Sequence, residues 1–163
     1  YAVTKLKEEK LLENLSKDSM GFTCLRFGTI FGKSPGMRFH TAVNKFCWQA
    51  SNDLPITVWS SAYDQVRPYL CLDDAVAAFV HVIKGNLFDG YQMFNVLTGN
   101  YSVRDVVKTI EIFRSNIKIE FVDSRIMNQL SYDVSNDKFK NTGFKVRGSL
   151  KRSIKETIQL LCD

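Results

Sequence analysis

Tyr1 and Lys5 place a phenol and an ammonium four residues apart at the start of the chain. On a helix, that spacing puts both side chains on one face, where they can converge on a single bound group. A phenol has an ordinary pKa of about 10 and is a poor base at neutral pH, but nearby cations favour its phenolate. The pair could therefore take a proton from a hydroxyl group and return it. The same spacing also occurs on ordinary amphipathic helices, so an exposed helix face is the alternative.

The elements that must position these residues alternate between helical and strand patterns, which is typical of an α/β domain with parallel strand pairs. We predict helices over residues 1–17, 37–50, 73–84, 103–113, 135–142 and 149–162. We predict strands over residues 22–27, 56–59, 68–72, 93–96 and 117–122. The glycines and the proline of residues 28–36 predict a loop.

Polar residues at the predicted helix starts indicate capping. Ser102 is placed to cap the helix over residues 103–113, and Asp73 and Asp74 are best explained as capping residues of the helix that ends near Lys84. The apolar face of that second helix is predicted to comprise Val76, Phe79, Val80 and Ile83.

Several short blocks follow Tyr1 and Lys5 in a fixed order. Residues 25–32 read LRFGTIFG, and residues 67–75 read RPYLCLDDA. The later blocks are FNV at 94–96, followed by Gly99, then YSV at 101–103, YDVS at 132–135 and TGF at 142–144. In this order they resemble the extended short-chain dehydrogenase/reductase family, in its nucleotide-sugar epimerase/dehydratase branch, where Tyr-x-x-x-Lys precedes LRxxNxYG and RDFxHVxDxA. The resemblance covers essentially the whole chain.

The resemblance implies a fold and an activity. The fold is α/β, the C-terminal part of a Rossmann-like doubly wound parallel sheet plus a small α+β substrate-binding subdomain. The implied activity is that of an NAD(P)-dependent nucleotide-sugar epimerase or dehydratase, in which a hydride is abstracted from a sugar carbon and NAD or NADP is the cofactor. The alternative is a noncatalytic ligand-binding or regulatory module that retains the family fold.

The resemblance also implies roles near the reacting atoms. Tyr1 would be the general base or acid, and Lys5 would hold the nicotinamide ribose while lowering the pKa of the tyrosine. Phe27, Gly28 and Ile30 would lie beside the cofactor.

For the substrate, the resemblance implies that Arg67 clamps the diphosphate, a role suited to a planar guanidinium. Thr29 stands where relatives have an asparagine that touches the sugar diphosphate. Asn44 resembles an asparagine that contacts substrate phosphate, with a solvent-facing turn as the alternative. Trp59 lies near the strand that lines the nucleotide pocket in relatives, with core packing as the alternative. Relatives have a second arginine before the Tyr-x-Val segment, and Arg125, some distance upstream, is the candidate here.

The composition argues against several other classes of protein. The net charge is +5, but the lysines and arginines are spread through many segments, so we do not expect nucleic acid as a partner. No run approaches the roughly 18 apolar residues of a membrane-spanning helix, so we expect no membrane partner. Cys24, Cys47, Cys71 and Cys162 are far apart, which predicts no metal site and reduced thiols in a cytoplasmic protein.

The sequence contains no GxGxxG or GxxGxxG turn of the kind that binds the pyrophosphate of a dinucleotide. We therefore expect residues 1–163 to be the C-terminal portion of an epimerase/dehydratase, without its N-terminal cofactor-binding half and inactive alone. In relatives the helix that carries the tyrosine packs in a dimer interface, so the resemblance implies a homodimer. It implies a nucleotide-diphosphate sugar as the ligand.

Overall fold

The computed structural model describes residues 1–17, 20–123 and 131–162. The helices are α1 (Ala2–Leu15), α2 (Ala42–Ser51), α3 (Leu72–Lys84), α4 (Val103–Glu111), α5 (Asp137–Lys140) and α6 (Leu150–Cys162). The strands are β1 (Phe22–Phe27), β2 (Thr29–Phe31), β3 (Ile56–Trp59), β4 (Val66–Cys71), β5 (Tyr91–Val96), β6 (Gly99–Ser102) and β7 (Ile119–Val122). A 3-10 turn, Ser60–Ala62, lies between β3 and β4.

The strands form three small sheets in which most pairings are parallel. β1 pairs with β5 in parallel, with Phe22 opposite Tyr91 and Phe27 opposite Val96. β4 lies between β2, which is parallel to it, and β6, which is antiparallel. β3 and β7 form a further parallel pair. Parallel strands joined through helices characterise α/β folds, so the predicted class is confirmed.

The loop predicted over residues 28–36 is partly wrong, because β2 lies inside it. A three-residue strand is too short to show a recognisable alternation, and β2 is stabilised by backbone hydrogen bonds with β4. The next helix, α2, begins later than predicted, at Ala42. The Asn44 side chain accepts a hydrogen bond from Gly32 N at 3.1 Å and donates one to Arg38 O at 3.2 Å, which holds the preceding segment as a loop.

The larger hydrophobic core lies where α2, α4 and α6 meet the strands. Its fully buried side chains include Phe31, Val43, Ile56, Val58, Val106 and Ile154. Each such side chain contributes on the order of 1.5–3 kcal/mol when it leaves water. Cys47 of α2 is also buried here, and burial raises the pKa of its thiol to about 12, so it stays protonated at neutral pH. This core fixes α2 against β3.

The smaller core lies under α3, and the prediction named the wrong face of this helix. The buried side is formed by Ala75, Ala78 and Val82, which pack with Phe94 and Val96 of β5. The residues of the predicted apolar face are exposed instead: Val76, Phe79, Val80 and Ile83. α3 is apolar on two sides, and its small side chains allow the closer approach to the sheet.

The first helix lies at the periphery. α1 contains no buried residue, and Val3, Leu6 and Leu11 are each more than half exposed. A two-bond ion pair connects it to β1, in which Arg26 Nε donates to Glu9 Oε1 at 2.7 Å and Arg26 Nη2 donates to the second carboxylate oxygen. Because these groups are only partly buried, the pair contributes modestly to stability and mainly sets the orientation of α1.

Asp74 connects three separate segments of the chain, which differs from its predicted capping role. Its carboxylate is 1% exposed. It accepts hydrogen bonds from Thr98 Oγ1 at 2.7 Å, from Arg147 N at 2.9 Å and from Gly148 N at 3.0 Å. The carboxylate therefore caps the backbone of the turn before α6. The residue at the N-cap position of α3, Cys71, forms no side-chain capping bond. By contrast, the predicted Ser102 cap of α4 is confirmed.

Replacing Asp74 should therefore destabilise the protein far more than replacing its neighbour. Asp74→Ala leaves three donors without their acceptor, so we expect a loss of about 2–4 kcal/mol in the free energy of unfolding. Asp73→Ala is the matched control, because both residues lie in the first turn of α3 but Asp73 only pairs with Arg152 at 3.6 Å on the surface. The free energy of unfolding of this control, measured by urea denaturation, should decrease by less than about 1 kcal/mol. Equal losses would contradict the role given to Asp74.

Candidate functional site

A cavity of about 280 Å³ lies between α2, β3, the 3-10 turn and β4. Its lining residues are His40, Ala42, Lys45, Phe46, Thr57, Val58, Trp59, Ala62, Gln65, Arg67, Tyr69 and Val103. None of these described lining residues is acidic, and two of them, Lys45 and Arg67, are basic. The cavity therefore combines apolar walls with an electropositive character, which suits an anionic ligand that has a flat apolar part.

Strand geometry explains how β3 and β4 form two walls of the cavity. Residues two apart on a strand point to the same face, so Thr57 and Trp59 share one face of β3, and Arg67 and Tyr69 share one face of β4. Trp59 is 46% exposed and lies at the rim, whereas Tyr69 is 3% exposed. Burial raises the pKa of the Tyr69 phenol, with the charge of Arg67 acting in the opposite direction. The phenol is therefore a neutral group at physiological pH.

A small polar network joins α2 to β3 at the cavity. Lys45 Nζ and Gln49 Nε2 donate to the Thr57 hydroxyl at 2.9 Å and 3.1 Å. Gln49 is 7% exposed, and its Oε1 is buried without a hydrogen-bond partner in the part of the chain that the structure describes. The two donors orient the lone pairs of Thr57 towards α2, so its own hydroxyl proton can be donated elsewhere.

Arg67 is held by several contacts at the start of β4. Its Nη2 donates to Gln65 Oε1 at 2.9 Å, and its Nη1 donates to Val66 O at 3.4 Å. The guanidinium carbon lies 4.9 Å from the centroid of the Tyr132 ring, which is a cation–π distance. The charge therefore has a defined location at the cavity wall.

The structure brings together some of the predicted substrate residues. Trp59 and Arg67 both line the cavity. Thr29 of β2 is in register with Tyr69 of β4, and therefore lies next to a lining residue. Their roles in binding substrate remain predictions.

Of the other two predicted substrate residues, Asn44 does not line the cavity. Asn44 is 5% exposed, is not a lining residue, and uses its amide to bond the backbone of Gly32 and Arg38. Its observed role is therefore to fix the loop before α2, rather than the solvent-facing turn considered as an alternative. Arg125 lies outside the described residues.

Tyr1 and Lys5 lie near each other but away from the cavity lining. Lys5 Nζ is 5.7 Å from the centroid of the Tyr1 ring, and the phenol is 95% exposed. Lys5 also forms an ion pair with Glu8 at 2.7 Å, and this hydrogen bond raises the pKa of the lysine. The ammonium is therefore charged at neutral pH and accessible to solvent. The geometry confirms the helical spacing of the pair and leaves its catalytic role a prediction.

The predicted cofactor residues lie at the carboxyl end of β1 and in β2. Phe27 contacts Phe79 of α3 edge-to-face, with ring centroids 5.3 Å apart. Gly28 N donates to Val96 O at 3.0 Å, and a Cβ on Gly28 would lie 2.9 Å from Pro68 O. Ile30 is 41% exposed. The carboxyl end of parallel strands is where α/β folds bind ligands, so these positions are open to one.

Sequence reasoning missed six polar or aromatic lining residues: His40, Lys45, Phe46, Thr57, Gln65 and Tyr69. One signal was available, because Arg67 directly precedes the strand predicted over residues 68–72 and Tyr69 follows it by two residues, which places both on one face if the strand begins earlier. Lys45 could not be found in the same way, since its contact with Thr57 joins two elements whose relative position no local pattern reveals.

Comparison with known proteins decides the family. The sequence model described as "NAD dependent epimerase/dehydratase family" matches residues 1–96, which is more than half of the chain. The chain belongs to this family. The resemblance inferred from the sequence blocks is thereby confirmed. The matched part contains Tyr1, Lys5 and the cavity-forming elements α2, β3 and β4.

A curated relative from Pseudomonas aeruginosa is a UDP-2-acetamido-2,6-beta-L-arabino-hexul-4-ose reductase. The present chain is 26% identical to this reductase over 119 residues, which cover 72% of the chain and 32% of the reductase. The chain therefore spans about a third of the length of that relative.

Solved structures of two epimerases share the fold. The UDP-glucose 4-epimerase of Thermus thermophilus, in complex with NAD, has a TM-score of 0.82 at 21% identity, over 99% of this chain and 53% of its own. The UDP-glucuronic acid 4-epimerase of Bacillus cereus, in complex with UDP-glucuronic acid and NAD, has a TM-score of 0.83 at 21% identity, over 98% of this chain and 51% of its own. The chain thus spans about half the length of each, and the predicted Rossmann-like fold class is confirmed.

Neither a metal-binding cluster nor a membrane-spanning helix occurs in the described part of the chain. Within residues 1–17, 20–123 and 131–162, no group of three or more His, Cys, Asp or Glu side chains could hold a metal ion. Among the helices that the structure describes, none combines the length and the apolar character that a membrane crossing requires.

The close approach at Gly28 gives a test of the junction between β1 and β2. Gly28→Ala should destabilise the protein by about 1–3 kcal/mol, because the added methyl group meets the backbone of Pro68. Gly36→Ala is the control, since a Cβ there would have no atom within 4 Å. Its free energy of unfolding should be unchanged or slightly higher. Thermal and urea unfolding measure both, and a Gly28→Ala variant as stable as the control would contradict the crowding.

Proposed function

We propose that the chain is the substrate-binding and catalytic-helix portion of an NAD(P)-dependent enzyme that acts on nucleotide-diphosphate sugars, as an epimerase or dehydratase. The observation that carries this proposal is the electropositive cavity between α2, β3 and β4 in a member of the epimerase/dehydratase family. UDP-sugars and NAD are bound by structural neighbours, and the same ligand classes are the ones we propose here.

The size and charge of the cavity fit the nucleotide end of such a substrate. A cavity of about 280 Å³ is at the lower limit of ligand pockets, so it accommodates a nucleoside but not a complete nucleotide sugar. The exposed ring of Trp59 offers a stacking surface at the rim, and Arg67 offers in-plane N–H donors to a phosphate. Phosphates held by Arg67 would direct the sugar out of the cavity.

The proposed chemistry requires a proton acceptor beside the sugar hydroxyl. Tyr1 is proposed as this general base, with Lys5 favouring the phenolate through its positive charge. The separation of 5.7 Å between the Lys5 ammonium and the Tyr1 ring supports the pairing. Because Tyr1 is 95% exposed, its phenolate oxygen can take the hydroxyl proton of a ligand that approaches from outside this chain.

NAD(P) is the proposed cofactor, and when bound it accepts a hydride from a sugar carbon and can return it. The residues of this chain fit only the nicotinamide end of such a molecule. Ile30 provides an exposed apolar side chain, Gly28 lies at the carboxyl end of β1, and Lys5 can bind a ribose hydroxyl. The glycine-rich turn that would hold the pyrophosphate is not present in the sequence.

We propose that this turn is supplied by a cofactor-binding segment that packs against β1. Among the described strands, β1 is hydrogen-bonded only to β5, so its other edge is open. An open edge of a parallel strand exposes backbone donors and acceptors that another strand can satisfy. The exposed apolar side chains of α1, which include Leu6 and Leu11, are also available for a second copy of the chain. A homodimer through α1 remains a prediction.

The diphosphate role of Arg67 can be tested directly by binding. Arg67→Met keeps an unbranched side chain but removes the charge, so we expect UDP to bind about tenfold to a hundredfold more weakly. The affinity for uridine, which has no phosphate, should decrease much less. Isothermal titration calorimetry on the full chain measures both ligands, and Arg152→Met on the surface of α6 is the control. Failure of the unaltered protein to bind UDP or uridine would refute the nucleotide site.

The catalytic role of Tyr1 is tested in the complete enzyme that contains this chain. Tyr1→Phe removes only the hydroxyl group, so turnover of the nucleotide sugar should fall by about a hundredfold or more while cofactor affinity changes little. Cofactor affinity is measured separately, by titration of NAD or NADP. Undiminished turnover in Tyr1→Phe would refute the catalytic role of Tyr1, whereas a complete protein that binds the nucleotide sugar without turning it over would favour the noncatalytic binding module considered as the alternative.

A further inference from the structure

The guanidinium of Arg67 is packed between two side chains that come from different parts of the chain. Gln65 precedes it on the same strand segment and accepts a hydrogen bond from Nη2 at 2.9 Å. Tyr132 comes from the segment after β7, and its ring lies 4.9 Å from the guanidinium carbon. One contact is made in the plane of the guanidinium and the other on its face.

The Tyr132 ring is anchored by the backbone of β4. Tyr132 N donates to Val66 O at 3.2 Å, and Ser131 Oγ accepts a hydrogen bond from Val66 N at 3.0 Å. Residues 131 and 132 therefore extend along the first residue of β4, directly beside Arg67. The backbone of Tyr132 is therefore tied to the same strand that carries the guanidinium.

We propose that Tyr132 and Gln65 are positioning residues that hold the Arg67 guanidinium at the cavity wall for the diphosphate of the ligand; this inference rests on the proposed function. A free arginine side chain loses considerable rotamer entropy when it binds an anion. Stacking on Tyr132 and the bond to Gln65 restrict those rotamers before the ligand arrives, which reduces the loss. The ring is not an oxygen acceptor, so it does not take the place of phosphate as a hydrogen-bond acceptor of the guanidinium.

The locations of Tyr132, Gln65 and Arg67 support a role in ligand binding. Tyr132 is 51% exposed, so its ring contributes little to either hydrophobic core. Gln65 and Arg67 are both cavity-lining residues. The stack therefore lies at the boundary between the cavity and the solvent, where a phosphate group would enter.

The test compares two substitutions at position 132 with two ligands on the full chain. Tyr132→Phe keeps the ring, and should bind UDP within about a factor of 1.5 of the unaltered protein. Tyr132→Leu removes the ring, and should bind UDP roughly two- to fivefold more weakly. Uridine affinity should be the same in all three proteins, because uridine has no phosphate for the guanidinium to bind. Calorimetric titration at low ionic strength measures these constants.

A second pair of variants tests Gln65. Gln65→Glu places a carboxylate against the guanidinium, so it competes with phosphate, and we expect UDP to bind about fivefold more weakly. Gln159→Glu makes the same change of charge on the exposed surface of α6 and should leave UDP affinity unchanged.

The outcomes separate this inference from the proposed function. Suppose that the unaltered protein binds UDP and that Arg67→Met binds UDP more weakly. If Tyr132→Leu then binds UDP as tightly as Tyr132→Phe does, the positioning role is refuted and the nucleotide site stands. Equal weakening of UDP and uridine in Tyr132→Leu would show a general structural defect and would also refute the role. If the unaltered protein binds neither ligand, the proposed function itself fails.

Discussion

The position of β4 is the constraint on which the rest of the site depends. β4 has a partner on each side, β2 in parallel and β6 in antiparallel orientation. Its end is fixed by Thr98, whose N–H donates to Tyr69 O at 2.8 Å and whose hydroxyl accepts from Cys71 N at 2.8 Å. That hydroxyl in turn donates to the buried Asp74 carboxylate. Because a shift of one residue would turn the Arg67 side chain to the opposite face, the cavity exists only in this register.

The cavity itself shows how one site can combine apolar walls with positive charge. The Lys45 ammonium donates to the neutral hydroxyl of Thr57, which connects α2 to β3. The Arg67 guanidinium is in contact with the Gln65 amide and the Tyr132 ring. These contacts give the cation a defined location at the cavity wall.

Much of the exposed apolar surface belongs to elements that do not line the cavity. α1 has no buried residue, α3 exposes four large apolar side chains, and one edge of β1 is open among the described strands. Patches of this kind mark surfaces that other polypeptide segments cover. Structural neighbours that share the fold are about twice as long as this chain. The proposed cofactor-binding segment therefore accounts for the surfaces and for the lack of a glycine-rich turn together.

Much of the fold could be predicted, because its signals are local. The bounds of β1 and β3, the Ser102 cap and the helical spacing of Tyr1 and Lys5 all depend on residues within one or two turns of each other. β2 and the buried face of α3 could not be predicted. A strand of three residues is stabilised by its pairing with a neighbouring strand, and a helix with two apolar sides is oriented by the elements that pack against it.

By itself, the sequence determined the family, the class of fold and two residues of the cavity, Trp59 and Arg67. Only the tertiary structure decided that Asn44 fixes a loop, that Asp74 ties three segments together, and that Tyr132 stacks on Arg67. The physical reason is the distance along the chain: these contacts join residues whose proximity comes from the packing of separate elements, which no local pattern of side chains encodes.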